Sequence, residues 1–434
     1  MTPRPQLGSS PPWSFPLPHI EELNHGMTLW TYPLPGQHIA SCVLVLDLPL
    51  HCEPVGRDGL GNVVTRLLDA GTTTHPSVSF SQALEDHGGH FQPMVGQSTT
   101  QLMIDLPTNS LGAGLTLVAE AVKEPAFAAD DFLSIQSQVY AEIDRHMARG
   151  SSIASIALRW SLFDHDLRIS RPVFGDFESI PQITRDEVCD FHSRHYSPRG
   201  ATLIIAGDID PHETAHLAAQ AFASWDSSVT SPVEVLPHVG ECASHIIHRE
   251  GAVQADVKIG WYGIDQKDPR WASLLVALTI MGGHFDSRLN TVLREEKGYT
   301  YGVSMGAHPF RHGGYIDFSS STQTAMVHHL ISEALEILAA TQPFTPEEVD
   351  NAIAYLTESA PLALSTAVAV ADQGASLVAA HLDVDHVTTG LVALRQVTPD
   401  SAMSAYHDLV NPDQGAIIVV GDSTGIGDLF SSHS

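Results

Sequence analysis

The chain has 434 residues, and its 21 basic and 50 acidic side chains give a formal charge of −29. Such a surface repels phosphate backbones and excludes a nucleic-acid partner, and only four lysines (Lys123, Lys258, Lys267, Lys297) exclude a polybasic membrane patch. With 43% hydrophobic residues the chain is too apolar for disorder, and its length suits two or three domains.

The first segment, MTPRPQLGSSPPWSFPLP, is Pro-rich and lacks the apolar core of a secretory signal, so residues 1–17 read as a flexible tail. The following pattern predicts strands over Ile39 to Leu48, Gln101 to Leu106 and Thr202 to Ala206. Helices are predicted over Leu60 to Asp69, Leu111 to Val122, Asp130 to Met147 and Arg185 to His195. The longest apolar runs, Val43 to Leu50 and Leu274 to Met281, fall short of the roughly 18 residues of a membrane span. Four cysteines (Cys42, Cys52, Cys189, Cys242) without a C-x-x-C pair suit a reducing compartment, and cytoplasm is the expected location.

Next in chain order comes H-E-T-A-H over His212 to His216, formally a zincin motif. Asp210 and Pro211 place His212 in a helix's first turn. The buried stripe Leu217, Ala218, Ala221, Phe222 and Trp225 turns both histidines to the wet face, and only Glu234 is nominated as a third ligand. His87 with His90, and His192 with His195, read as solvated or capping groups. The segment around Ser224 to Ala243 is rich in Ser, Pro and Val without helical period, and residues 226–243 are taken as a linker.

Beyond the linker the chain repeats itself. ITRDEVCDFHSRHYSPRGATLIIAGDID from Ile183 aligns without a gap on VTPDSAMSAYHDLVNPDQGAIIVVGDST from Val397, at an offset of 398 − 184 = 214. In each copy Thr caps a helix, Pro ends the connection and a β-branched run makes a buried strand closed by Gly-Asp. Ile104-Asp105 answers Ile316-Asp317, and Phe127 with Asp131 answers Phe344 with Glu348. A tandem duplication of about 210 residues follows, with an N-terminal domain over 18–225 and a C-terminal domain over 244–430. The expected fold class is α+β, each domain a mixed sheet with helices.

The second copy carries MGGHFDSRLNTVLREEKGYTYGVSMGAHPFRHGGYIDFSSSTQT, Met281 to Thr324. This stretch resembles the C-terminal-domain signature of the pitrilysin and insulinase superfamily of zinc metallopeptidases (M16), in its short two-domain, processing-peptidase branch. DGLGNVVTRLLDAGTTTHPS and YSPRGATLIIAGDIDPHE in the first copy resemble the same family. The resemblance implies a clamshell whose N-terminal half supplies zinc through H-x-x-E-H plus a distal Glu, and whose C-terminal half supplies an Arg and a Tyr seven residues apart. That second set is present as Arg294 and Tyr301, with Gly298 between them as a helix cap. The resemblance casts Tyr301 as donor to the scissile carbonyl oxygen and Arg294 as a holder of the substrate backbone, with Gly282, Gly283, His284 and Arg288 in reach of substrate.

The zinc set is absent. Aligned on Gly59, Leu60 and Gly71, the ligand and base positions hold Asn62, Thr65 and Arg66, and only the distal carboxylate, Glu142, is retained. Asn is a poor zinc ligand, Thr cannot act as a base near neutral pH, and Arg does not deprotonate. An ion pair between Arg66 and Glu142 is expected in place of a metal. The combination resembles the non-zinc subunit of a heterodimeric peptidase: no metal on this chain, zinc on a partner carrying H-x-x-E-H, and an unfolded, possibly basic peptide as substrate. The alternatives are a non-catalytic scaffold or peptide-binding protein of the same fold, and an independent zinc peptidase using His212, Glu213 and His216.

Overall fold

The computed structural model describes residues 13–226, 235–339 and 341–427. The first domain forms a six-stranded sheet from β1 (His19–Glu22), β2 (Thr28–Pro33), β3 (Ile39–Leu46), β4 (His90–Val95), β5 (Thr100–Pro107) and β6 (Thr202–Gly207), in the order β1-β2-β6-β3-β5-β4. The second forms a five-stranded sheet from β7 (His245–His248), β8 (Gln254–Gly263), β9 (Thr300–Phe310), β10 (Gly313–Gln323) and β11 (Ala416–Gly421), in the order β7-β11-β8-β10-β9. Without β1 the two orders superimpose strand for strand. The one parallel pairing recurs too, β2 with β6 and β7 with β11. The duplication is therefore written in the topology.

Both Thr caps predicted for the repeat are made. Thr184 and Thr398 each accept the backbone N–H three residues on, opening helices Arg185–His195 and Pro399–Leu409. The largely buried strands β6 and β11 follow and lie inside their sheets.

The division into halves is less clean than the repeat suggests. Helix Gly150–Leu162 belongs to the first copy by sequence, yet its Ala154, Leu158 and Leu162 pack against Ala416, Ile418 and Val420 of the second sheet. Its counterpart Ala367–Ala379, at an offset of 367 − 150 = 217, covers the first sheet, with Val370, Ala371 and Ala375 against Tyr32, Val43, Val45 and Ile204. Each sheet keeps its other face on its own domain's helices and borrows a cover for this one. Arg311 of the β9–β10 turn adds a cross-domain ion pair to Asp47 at 2.8 Å and donates to the Ala379 carbonyl at 3.1 Å.

The tail and linker need revision. Residues 1–12 lie outside the described residues, but Trp13 and Phe15 are packed rather than loose. Phe15 meets the Tyr32 ring edge-on at 5.7 Å, and its N–H donates to Thr388 Oγ1 at 3.1 Å. Two aromatic side chains outweigh the flexibility that prolines suggested, because an apolar slot receives them. In the linker, 227–234 lie outside the described residues; beyond them Gly240 and Cys242 donate to the Leu162 and Ser161 carbonyls, docking the strip on the end of the exchanged helix.

Candidate functional site

The first-copy site is built on helix Leu60–Leu67. Gly59 precedes it at φ +90°, and a Cβ there would stand 2.7 Å from the Phe174 carbonyl oxygen, so both conformation and space require glycine. A free N–H of the first turn, that of Gly61, is taken by the Glu53 carboxylate at 2.8 Å. Glu53 is held in turn by Arg168 at 2.6 Å, which also reaches Asp58, and Asp58 pairs with Arg171. This buried network fixes the helix's start.

Along that helix Thr65 turns inward and is only 1% exposed. Its hydroxyl donates to the Gly61 carbonyl at 2.7 Å and accepts from Tyr196 Oη at 3.0 Å. Burial pushes the Tyr196 hydroxyl well above its ordinary pKa. The position that a general base would occupy thus holds a neutral hydroxyl sealed against tyrosine. Asn62 and Arg66, one turn apart, are half-buried. Arg66 Nη2 lies 2.5 Å from Glu142 Oε2, with the two side chains 30% and 29% exposed. Glu142 comes from helix Ala129–Met147, and its other oxygen is 3.4 Å from Arg145. The ion pair expected from the sequence is formed. These residues do not fit a zinc ion, because the retained carboxylate is engaged by a cation that cannot leave as a proton does.

The H-E-T-A-H helix, Pro211–Ala221, is capped by Asp210 as expected. His212 is 94% exposed, with Glu21 3.9 Å away as its only charged neighbour among the described residues, and His216 is also exposed. Glu234 lies outside the described residues. Among the described residues no three His, Cys, Asp or Glu side chains are grouped so as to hold a metal. His192 is a capping group: its Nε2–H donates at 2.9 Å to the Val122 carbonyl, in the last turn of helix Leu111–Lys123. Burial lowers its pKa to about 4.

In the second copy the segment before β9 winds in wider, π-type turns over Thr279–Gly283 and Thr291–Glu296. Such turns recur at functional sites. Arg294 lies in the second of them and is braced. Its guanidinium sits 3.5 Å above the Phe285 ring, donates to the Phe285 carbonyl at 3.3 Å and pairs with Glu295 at 2.7 Å, leaving the side chain 16% exposed. Gly298, at φ +64°, ends the helix and the chain enters β9.

Tyr301 follows at an edge of the sheet and is 94% exposed. The β9 ladder breaks register beside it, between the pairs Val303–Ser320 and Thr300–Thr322. Asp317 is the counterpart of Asp105 in the repeat. Asp105 pairs with the first residue of β4, His90, whereas Asp317 pairs with Gly306, so β9 extends through 300–305 where β4 has no equivalent. That extension carries Tyr301.

Around the Gly-Gly turn, Gly282 is buried, with an added Cβ falling 2.6 Å from Met305 Cβ, while Gly283 is exposed. His284 meets the Tyr355 ring edge-on at 4.7 Å and accepts from the Asp286 N–H. Arg288 is heavily engaged. It binds Glu348 through two nitrogens, at 2.7 and 2.9 Å, donates to the Gln342 and Pro343 carbonyls and lies over Phe344. Its hydrogen bonds lower the Glu348 carboxyl to about 2. His284 and Arg288 line one cavity of ≈ 430 Å³ together with Asp286 and Tyr355.

Sequence reasoning missed the Glu53–Arg168–Asp58–Arg171 network, whose members are separated by more than a hundred positions and carry no shared pattern. It also missed Phe285, although an aromatic nine residues before an arginine in a turn-rich segment was there to be read.

This architecture, two copies of one α+β unit with an Arg66–Glu142 ion pair in the first and a braced Arg with a projecting Tyr in the second, is that of a two-domain zinc-peptidase homologue. The family profile described as "Insulinase (Peptidase family M16)" matches residues 33–159, and that described as "Peptidase M16 inactive domain" matches 182–356. The chain belongs to the M16 peptidase family. It is 23% identical over 337 residues to an uncharacterized zinc protease of Rickettsia bellii, covering 77% of this chain and 81% of the relative. It is 22% identical over 312 residues to a Helicobacter pylori protein named a non-peptidase homolog, covering 70% and 71%. Among solved structures, a peptidase M16 inactive domain from Pseudomonas fluorescens has the same fold, with a TM-score of 0.87 at 20% identity over 93% of this chain and 98% of that one. Among the described residues no single helix is long and apolar enough to cross a membrane.

Proposed function

We propose that this chain is the non-zinc subunit of a two-subunit M16 peptidase, lending Arg294 and Tyr301 to a site whose metal is held by a partner carrying H-x-x-E-H. The observation that carries the reading is Tyr301 itself. A tyrosine 94% exposed on an edge-strand extension, with no hydrogen-bond partner among the described residues, contributes little to this chain's own stability. Its hydroxyl is free to donate to the oxygen of a peptide carbonyl laid along the edge, while Arg294, seven residues earlier, is braced by Phe285 and Glu295. Extended, basic peptides suit the −29 charge. The four free thiols suit the reducing cytoplasm, which belongs to the same proposal.

The test is to purify the chain alone and co-expressed with an H-x-x-E-H chain, then measure zinc content and hydrolysis of unfolded peptides. Zinc and activity are expected in the pair only. Tyr301→Phe is expected to lower kcat of the pair on the order of 10²-fold, the effect of losing one oxyanion donor, without changing its melting temperature. A scaffold role is the second reading, favoured by the Arg66–Glu142 pair in the metal position. It predicts that Tyr301→Phe changes nothing.

A further inference from the structure

We infer that the vacated metal position has become a carboxylate-binding site for the peptide. The inference rests on the proposed peptide-binding function and assigns Arg66 and Arg145 the recognition. Among the described residues, the one hydrogen bond of the Arg66 guanidinium goes to Glu142, so the rest of its N–H fork is left without a protein partner on a side chain 30% exposed. Arg145, 63% exposed, stands at the other oxygen of the same carboxylate. Two guanidinium groups share this one carboxylate, in a chain whose 21 basic residues are outnumbered by 50 acidic ones.

Asn62, one turn before Arg66 on the same helix, adds an amide that has no hydrogen-bond partner among the described residues. Glu142 orients Arg66 and is not displaced by the ligand. A planar carboxylate is matched by the guanidinium fork, and Arg66 held at 2.5 Å by Glu142 has already lost much of its rotamer freedom. The long-range field of the chain favours a basic peptide body, whereas this spot selects one negative group on it. That group is either the peptide's C-terminal carboxylate or an acidic side chain.

The test uses fluorescence anisotropy of the full chain with four fluorescein-labelled peptides sharing one basic, unstructured body. One ends in a free acid, one in an amide, and two further amides carry an internal Glu or Gln. The expected result is that one acid-bearing peptide binds about tenfold tighter than its neutral counterpart, the effect of one charge-assisted hydrogen-bonded pair. Which of the two it is names the source of the carboxylate.

The paired change Arg66→Gln with Glu142→Gln is neutral overall but frees Arg145, so it is made together with Arg145→Gln and is expected to erase the preference. The neutral pair Arg194→Gln with Asp190→Asn, at an exposed ion pair on another helix, is expected to keep it. Equal affinities within both peptide pairs, a preference that survives the Arg66/Glu142/Arg145 change, or no binding of any peptide overturns the inference. Hydrolysis by the co-expressed pair is a separate readout, so the subunit proposal stands or falls independently.

Discussion

The two copies of the repeat agree in their sheets and disagree in what they present at the edges. Strand order, the single parallel pairing, the Thr-capped helices and the exchanged cover helices are common to both. The first copy keeps its helix polar groups engaged internally: Thr65 is sealed against Tyr196, and Arg66 is paired with Glu142. The second lengthens its edge strand, widens its preceding helix into π-type turns and projects Tyr301. Divergence after duplication has therefore spared the hydrogen-bonded sheet and the contacts that depend on it, and has acted on helices and hairpin ends that the other copy does not need.

Four substitutions probe that contrast. The largest stability effect is expected where the exchanged helices seat. A Cβ on Gly260 would lie 2.7 Å from Leu158, whereas one on Gly374 would lie 3.2 Å from Ile204 and Tyr32. Overpacking at Gly260 by Gly260→Val should cost about 3 kcal/mol in urea unfolding, and Gly374→Ala about 1 kcal/mol. Similar losses at both would mean that the two seams are equally tight.

His192 gives the first domain an acid sensitivity of its own. Its folded pKa of about 4 lies below the ordinary 6.5, so the unfolded chain binds the extra proton and the stabilisation is present above pH 6.5. Acidification from pH 6.5 to 4 should remove roughly 2–3 kcal/mol, and His192→Gln should flatten that window in melting temperature measured against pH.

The second domain should respond lower on the scale. Glu348 is depressed from 4.5 to about 2 by Arg288, so its contribution is present above pH 4.5 and is lost as pH falls towards 2. Its 30% exposure reduces the effect through solvent screening, and Arg288→Gln should remove on the order of 1–2 kcal/mol above pH 4.5 and nothing at pH 2. Coincident pH windows for the two variants would break the distinction between the domains.

Much of this was legible in the residues. The Thr caps, the β-branched strands closed by Gly-Asp and the 214-residue offset announced both copies, because capping and strand burial are local. The Arg66–Glu142 ion pair was legible as well, since a carboxylate kept beside an arginine that cannot deprotonate calls for that partner. The inward turn of Thr65 was hidden, because its partner Tyr196 is 131 positions away. The exchange of helices was equally hidden: an apolar stripe such as Ala154, Leu158 and Leu162 says that a helix is covered, not by which sheet. The packing of Trp13 and Phe15 was obscured by the prolines around them.

The exchanged helices also set an order on biosynthesis. While the ribosome is still making the second copy, the face of the first sheet formed by Tyr32, Val43, Val45 and Ile204 has no cover, because the helix that closes it, Ala367–Ala379, lies deep in that copy. The first domain must therefore wait, with apolar surface open, until translation has passed Ala379. A nascent chain halted in the linker is expected to need a chaperone, and either half expressed alone is expected to aggregate for want of the other's cover helix.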